Sequence, residues 1–121
     1  MLPKIIRYIK DLPRVLDDYG SYATRPSEKT INNAIEFLNK INFIYLKKIL
    51  PNECITPSSH GTIVIDWYYK KNLLSVEIGD DKIGWYSDLS DGSNPKSDGI
   101  LLIEDENYIK QINDCLNKIY R

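Results

Sequence analysis

Gly-Thr-Ile-Val-Ile-Asp-Trp-Tyr-Tyr-Lys-Lys-Asn-Leu-Leu-Ser-Val-Glu-Ile-Gly-Asp-Asp-Lys-Ile-Gly-Trp-Tyr-Ser-Asp, residues 61–88, is the stretch that decides the fold. Apolar and polar residues alternate through it with the period of a half-buried strand, and the alternation is interrupted twice by short polar runs. It contains both tryptophans of the chain. The reading is a three-stranded antiparallel meander. With Lys71-Asn72 and Asp80-Asp81 as two-residue hairpin loops, paired positions have a constant sum, so the register follows by counting outward. Tyr69 then faces Leu74, Trp67 faces Val76 and Ile65 faces Ile78. Across the second hairpin Ile78 meets Ile83 and Val76 meets Trp85. One face carries Ile63, Ile65, Trp67, Tyr69, Leu74, Val76, Ile78, Ile83 and Trp85, and this is the expected core. Burying each large side chain contributes roughly 1.5–3 kcal/mol before entropy.

The other face carries Val64, Asp66, Tyr68, Ser75, Glu77, Gly84 and Tyr86. In this register Asp66 lies directly beside Glu77, and Tyr68 lies beside Ser75 and Tyr86. Neighbouring carboxylates on adjacent strands repel. Either Lys70 or Lys82 neutralises them, or water does, or the pair meets a divalent cation, a basic partner protein or a proton-transfer substrate.

Outside the meander, Leu2, Ile5, Ile6, Ile9 and Leu12 recur at helical spacing after Pro3, which predicts a helix to about Asp11 that Pro13 bends or restarts and Gly20 ends. Ser27 after Pro26 is a helix cap, followed by Glu28 in the first turn. The stripe Ile31, Ala34, Ile35, Leu38, Ile41, Tyr45, Leu46 and Ile49 makes the second helix the longest element, with Phe43 and Ile44 implying either burial on two sides near its end or a break around Asn42, and an end at Pro51 and Asn52. Pro57 limits any strand over residues 55–61 to a sheet edge. Residues 89–99 read as a surface loop and residues 100–103 as a fourth strand. Asp105 is the expected cap of a last helix buried along Tyr108, Ile109, Ile112, Cys115, Leu116, Ile119 and Tyr120. The fold class is therefore α+β, order α-α-β-β-β-(β)-α, and the length of 121 residues fits a single domain over 1–121.

Charged residues make up 27% and the formal charge is -1, which argues against a nucleic-acid partner; such binding would need a stripe gathering Lys40, Lys47, Lys48, Lys70 and Lys71. Lys4, Arg7 and Lys10 interrupt the first apolar run, so neither a signal peptide nor a membrane span is expected there. Cys54 and Cys115 lack metal or redox spacing and fit reduced thiols in a cytoplasmic protein.

No catalytic residue, metal site or cofactor emerges. His60, with Ser58 and Ser59 beside it, has no nucleophile elbow or other hydrolase signature around it. A metal-dependent nuclease would place a lysine two residues after the strand acid, but Gly79 stands there after Glu77. Glycines 79, 84, 92 and 99 are spaced as turn and bulge residues and not as a phosphate loop. Asp88, Asp91, Ser93 and Asn94 have the composition of a calcium loop without its closing glutamate. Asp17, Asp18 and Tyr19 form a second acid–tyrosine patch, a composition favoured at recognition surfaces.

Several segments together, Asp17-Asp18-Tyr19-Gly20-Ser21, Pro26-Ser27 with Thr30, Ile31 and Ala34, Pro57-Ser58 with Gly61, Asp66-Trp67, and Val76-Glu77-Ile78-Gly79, resemble a group of short bacterial proteins of unknown function. That group carries a Trp-Asp-Gly-Tyr-Gly-like segment, a Pro-Ser-capped helix and a Pro-Ser-x-x-Gly strand entry. The chain departs from it at Leu16, where the group has Trp, and at Asp18, where it has Gly. The resemblance implies a bacterial or mobile-element setting and brings no activity with it. The functional expectation is a cytoplasmic, non-enzymatic protein-binding domain of the immunity, antitoxin or defence-accessory kind. Its partner-binding residues would be Asp66, Tyr68, Glu77, Tyr86, Asp17, Asp18 and Tyr19. The alternative is a metal-dependent enzyme using Asp66 and Glu77.

Overall fold

In the computed structural model, which describes residues 2–15, 25–92, 96–101 and 107–120, the alternating stretch forms β2 (Ile63–Tyr69), β3 (Asn72–Ile78) and β4 (Lys82–Asp88). A short strand β1 (Ile55–Pro57) and β5 (Lys96–Leu101) flank them, so the sheet is an antiparallel meander in the order β1-β2-β3-β4-β5. The helices are α1 (Leu2–Val15), α2 (Glu28–Lys40), the single turns α3 (Phe43–Leu46) and α4 (Pro51–Cys54), and α5 (Asn107–Ile119). The chain is α+β. No described helix is long and apolar enough to cross a membrane.

One face of the sheet is the core face. Ile63, Ile65, Trp67, Leu74, Val76, Ile78, Ile83 and Trp85 are all buried there against α2 and α5, while α1 packs against α2. Phe37 of α2 meets the Trp67 ring edge-on at 6.3 Å, and Tyr108 of α5 lies 6.2 Å from Trp85. The buried indole Nε1–H of Trp67 donates to the Tyr45 carbonyl at 3.1 Å, which ties α3 to the sheet and leaves no stranded donor in the core.

The second hairpin has the expected register, with Ile78 opposite Ile83 and Val76 opposite Trp85. The first is displaced by two residues. Tyr69 pairs with Asn72, Trp67 with Leu74, Ile65 with Val76 and Ile63 with Ile78, so the loop is Lys70-Lys71 and not Lys71-Asn72. A shift of two keeps every side chain on its face, and it lines up Ile63, Ile78 and Ile83 as one cross-strand layer and Ile65, Val76 and Trp85 as the next. Asn72 is held inside β3 because its Oδ1 accepts from the backbone N–H and hydroxyl of Ser90 at 2.9 and 3.0 Å. Lys70 takes a positive φ (57°) in this two-residue loop. Tyr69 consequently sits at the sheet's end, 41% exposed, instead of in the core, and packs on Tyr120 at 5.3 Å.

Other boundaries also move. α1 continues through Pro13, which gives up the bond to Ile9 and crowds its carbonyl one turn before the helix ends, and Leu12 still reaches the core. Ser27 caps α2 by accepting from the Thr30 N–H at 3.0 Å. The break at Asn42 is present, and its side chain caps α3. Pro51 starts a helical turn at N1, where its missing N–H costs nothing, and does not end one. β1 is an edge strand ending on Pro57. The fourth meander strand begins at Lys96, earlier than expected. There Asp98 and Gly99 together fall opposite Gly84, between the pairs Trp85–Ser97 and Ile83–Ile100. Leu89, expected in a surface loop, is buried. α5 buries Tyr108, Ile112, Cys115, Leu116 and Ile119 as its spacing implies. The expected cap at Asp105 lies outside the described residues.

Candidate functional site

Because strand side chains alternate, the residues that do not enter the core form outward rows: Thr62, Val64, Asp66 and Tyr68 along β2, Leu73, Ser75 and Glu77 along β3, and Lys82, Gly84, Tyr86 and Asp88 along β4. Tyr68 is 69% and Tyr86 52% exposed, so no described element covers these rings. Between them Ser75, opposite both Asp66 and Tyr86, is buried. The face thus has two protruding phenols and a closed polar floor.

Asp66 and Glu77 are not side by side. The register places Asp66 opposite Ser75 and Glu77 opposite Val64, a diagonal relation of roughly 7–8 Å between Cα atoms. Glu77 also turns away from Asp66: its Oε2 accepts from the Thr62 hydroxyl at 2.6 Å, on the far side of Val64. The Thr62 oxygen lies 2.5 Å from Ser58 Oγ. Since the Thr62 proton goes to a carboxylate, the Ser58 proton goes to Thr62, and Ser58 Oγ accepts from the backbone N–H groups of His60 and Thr62 at 3.0 and 3.2 Å. This relay anchors the 58–62 turn and uses His60 only through its backbone. The direct carboxylate pair expected from the sequence is therefore corrected. Among the described residues no group of three or more His, Cys, Asp or Glu side chains is placed to hold a metal ion.

Asp66 has the opposite environment. Its Oδ1 is closed off from solvent and receives no hydrogen bond from any described residue. A stranded carboxylate oxygen in the middle of a sheet face costs on the order of 1–3 kcal/mol, because water bound it in the unfolded chain.

At the β3–β4 turn the acids serve the fold. Asp80 accepts from the hydroxyls of Ser27 and Thr30, the latter at 2.6 Å, and so sits at the N-terminus of α2. The Ser27 and Thr30 hydrogen bonds, with a smaller contribution from Lys29, hold the Asp80 carboxyl below its usual range. Lys29 pairs with Asp81 at 2.7 Å, and that hydrogen bond raises the lysine's pKa. Asn33 Nδ2 donates to the carbonyls of Gly79 and Asp80 at 3.0 and 2.8 Å. An open recess of about 480 Å³ beside this turn is walled by Thr62, Glu77, Asp80, Asp81 and Lys82. Ser27 was legible as a cap, but its acidic partner lies 53 residues away and no local spacing announces it.

Asp17, Asp18 and Tyr19 lie outside the described residues, as do Ser93 and Asn94 of the calcium-like run. Of the expected partner-binding set, the structure brings together Asp66, Tyr68, Glu77 and Tyr86 on one sheet face. Cys54 and Cys115 are free thiols, and burial pushes the Cys115 thiol up. No family model, no curated protein and no solved structure matches this chain.

Proposed function

We propose that the chain is a non-enzymatic binding domain of the cytoplasm that uses its outer sheet face to hold a protein partner presenting lysine or arginine. The observation that carries the reading is the stranded Asp66 Oδ1 set beside the exposed rings of Tyr68 and Tyr86. A guanidinium or ammonium group stacks on a tyrosine face and is drawn there by the negative charge of the Asp66 carboxylate, whose own Oδ1 stays enclosed. Glu77 and Asp88 extend the negative rows, while Lys82 on β4 and Lys96 on β5, opposite Tyr86, stand at their margins. Tyrosine and arginine are also the side chains enriched where interfaces hold most of their energy. The resemblance to short bacterial proteins favours an immunity, antitoxin or defence-accessory role, in which the partner is a toxin encoded nearby.

The test is photo-crosslinking with the purified product of the adjacent gene. Benzoylphenylalanine replacing Tyr68 or Tyr86 is expected to crosslink that partner, while the same replacement at Glu36, exposed on α2, is not. A complex that forms without crosslinks from either sheet position removes this face from the account.

A further inference from the structure

The opposite character appears where α3, the β2–β3 loop and the end of α5 meet. At 100° per residue Phe43, Ile44, Lys47 and Lys48 share the outward half of the α3 turn, while Tyr45, Leu46 and Ile49 point inward and are buried. Phe43 is 59% exposed with the Lys47 Nζ 4.6 Å from its ring centre. Lys48 Nζ lies 5.3 Å from the Tyr120 ring, Tyr120 lies 5.3 Å from Tyr69, and Lys70 Nζ lies 5.4 Å from Tyr69. Tyr120 is fixed from behind by Tyr45, stacked at 5.8 Å, whose hydroxyl is bonded to Asn117. Lys47, Lys48 and Lys70 rest on rings instead of on carboxylates, and no ion pair joins them to a described residue. Lys71 adds a further exposed cation in the same loop. The net charge of -1 thus conceals a segregation, acids on the sheet face and unpaired lysines interleaved with aromatic rings at this end.

We infer that this strip binds single-stranded nucleic acid, its lysines taking the phosphates and the exposed Phe43 ring stacking on a base. Alternating cations and ring faces are the two elements that sequence-tolerant single-strand sites combine. A bilayer is a poorer match. Ile44 and Leu50 do protrude near Phe43, but they are single apolar residues, and the rings of the strip carry ammonium groups and two of the three are phenols. The strip is separate from the outer sheet face, so it stands or falls independently of the protein partner.

The test is fluorescence anisotropy of a labelled oligothymidylate of about twenty nucleotides titrated with the full chain. Four lysine–phosphate contacts at about -0.7 each give a slope of roughly -2.8 in log affinity against log salt, so raising salt from about 50 to about 200 mM weakens binding roughly 50-fold. The double variant Lys48→Glu/Lys70→Glu, both exposed, is expected to lose at least about tenfold in affinity and to flatten the slope by about 1.4, for two lost contacts. Phe43→Ala is expected to lose about fivefold or more at unchanged slope. Lys4→Glu/Lys10→Glu, an equal charge change on the exposed side of α1, keeps full binding, and thermal melts establish that each variant is folded. The inference is overturned by absent or salt-insensitive oligonucleotide binding, or by equal binding of the folded double variant. Phosphatidylserine vesicles held through Lys48 and Lys70 where the oligonucleotide is not would also overturn it.

Discussion

Replacing Asp66 with threonine is expected to make the protein more stable and its partner complex weaker. Asp66 Oδ1 is buried without a donor, at a cost of roughly 1–3 kcal/mol, and aspartate is a poor strand residue where threonine is a favoured one, a further few tenths to about 1 kcal/mol. Allowing for the threonine hydroxyl finding only part of its hydrogen bonding, a net gain of about 1–2 kcal/mol is expected. With an unfolding entropy of about 2.1 cal/mol/K per residue over 121 residues, 1 kcal/mol moves the midpoint by about 4 °C. Asp66→Thr should therefore raise Tm by roughly 4–8 °C in a calorimetric scan. Glu77→Val, on the same face, should go the other way. Its carboxylate holds the Thr62 hydroxyl, and losing a charge-assisted bond costs about 1.5–3 kcal/mol, partly offset by the better strand residue. A Tm that is unchanged or lower in Asp66→Thr would refute the idea that this position tolerates a local cost.

Three further outcomes follow from the geometry. Trp67→Phe removes the donor to the Tyr45 carbonyl and part of a buried ring, and should lower unfolding free energy by about 2–4 kcal/mol in urea titrations. Lys70→Gly relieves a positive φ worth about 1–2 kcal/mol against an added unfolded-state entropy of about 0.5–1 kcal/mol, whereas Lys71→Gly meets only the entropy. Lys70→Gly should therefore be the more stable of the two by their denaturation midpoints. Asp80 has a lowered folded-state pKa, so its contribution is complete above the unfolded value of 3.8 and is lost as pH falls through the folded value; Asp80→Asn should flatten stability against pH in that acid window, measured by chemical denaturation.

The core face was legible because a period of two leaves no other way to bury Ile63, Ile65, Trp67, Leu74, Val76 and Ile78 together. The second loop was legible because Asp80-Asp81 sits centrally between the paired Ile78 and Ile83. The first was not, because Lys70, Lys71 and Asn72 are all plausible loop residues and parity alone cannot distinguish registers two apart. The choice is made by Asn72 bonding Ser90 and by Tyr69 reaching Tyr120, both long-range contacts. The same error created the apparent Asp66–Glu77 pair: Asp66, Tyr68, Glu77 and Tyr86 share one sheet face, but the two carboxylates are diagonal and not opposite. Pro13 and Pro51 misled because a proline's effect depends on which turn of the helix it occupies. The Phe43, Tyr69 and Tyr120 strip was illegible since its rings come from three separate elements, although its lysines stood out in the chain.

Calorimetric titration of the adjacent gene's product into wild type and into Asp66→Lys/Glu77→Lys tests the outer sheet face as a binding surface most directly. Glu77→Lys gives up the Thr62 bond, so circular dichroism and a thermal melt establish that the double variant is folded before its affinity is read. The expected result is a loss of at least about tenfold in affinity, equivalent to about 1.4 kcal/mol, from reversing charges that face a basic partner. An unchanged dissociation constant in the folded variant would contradict it.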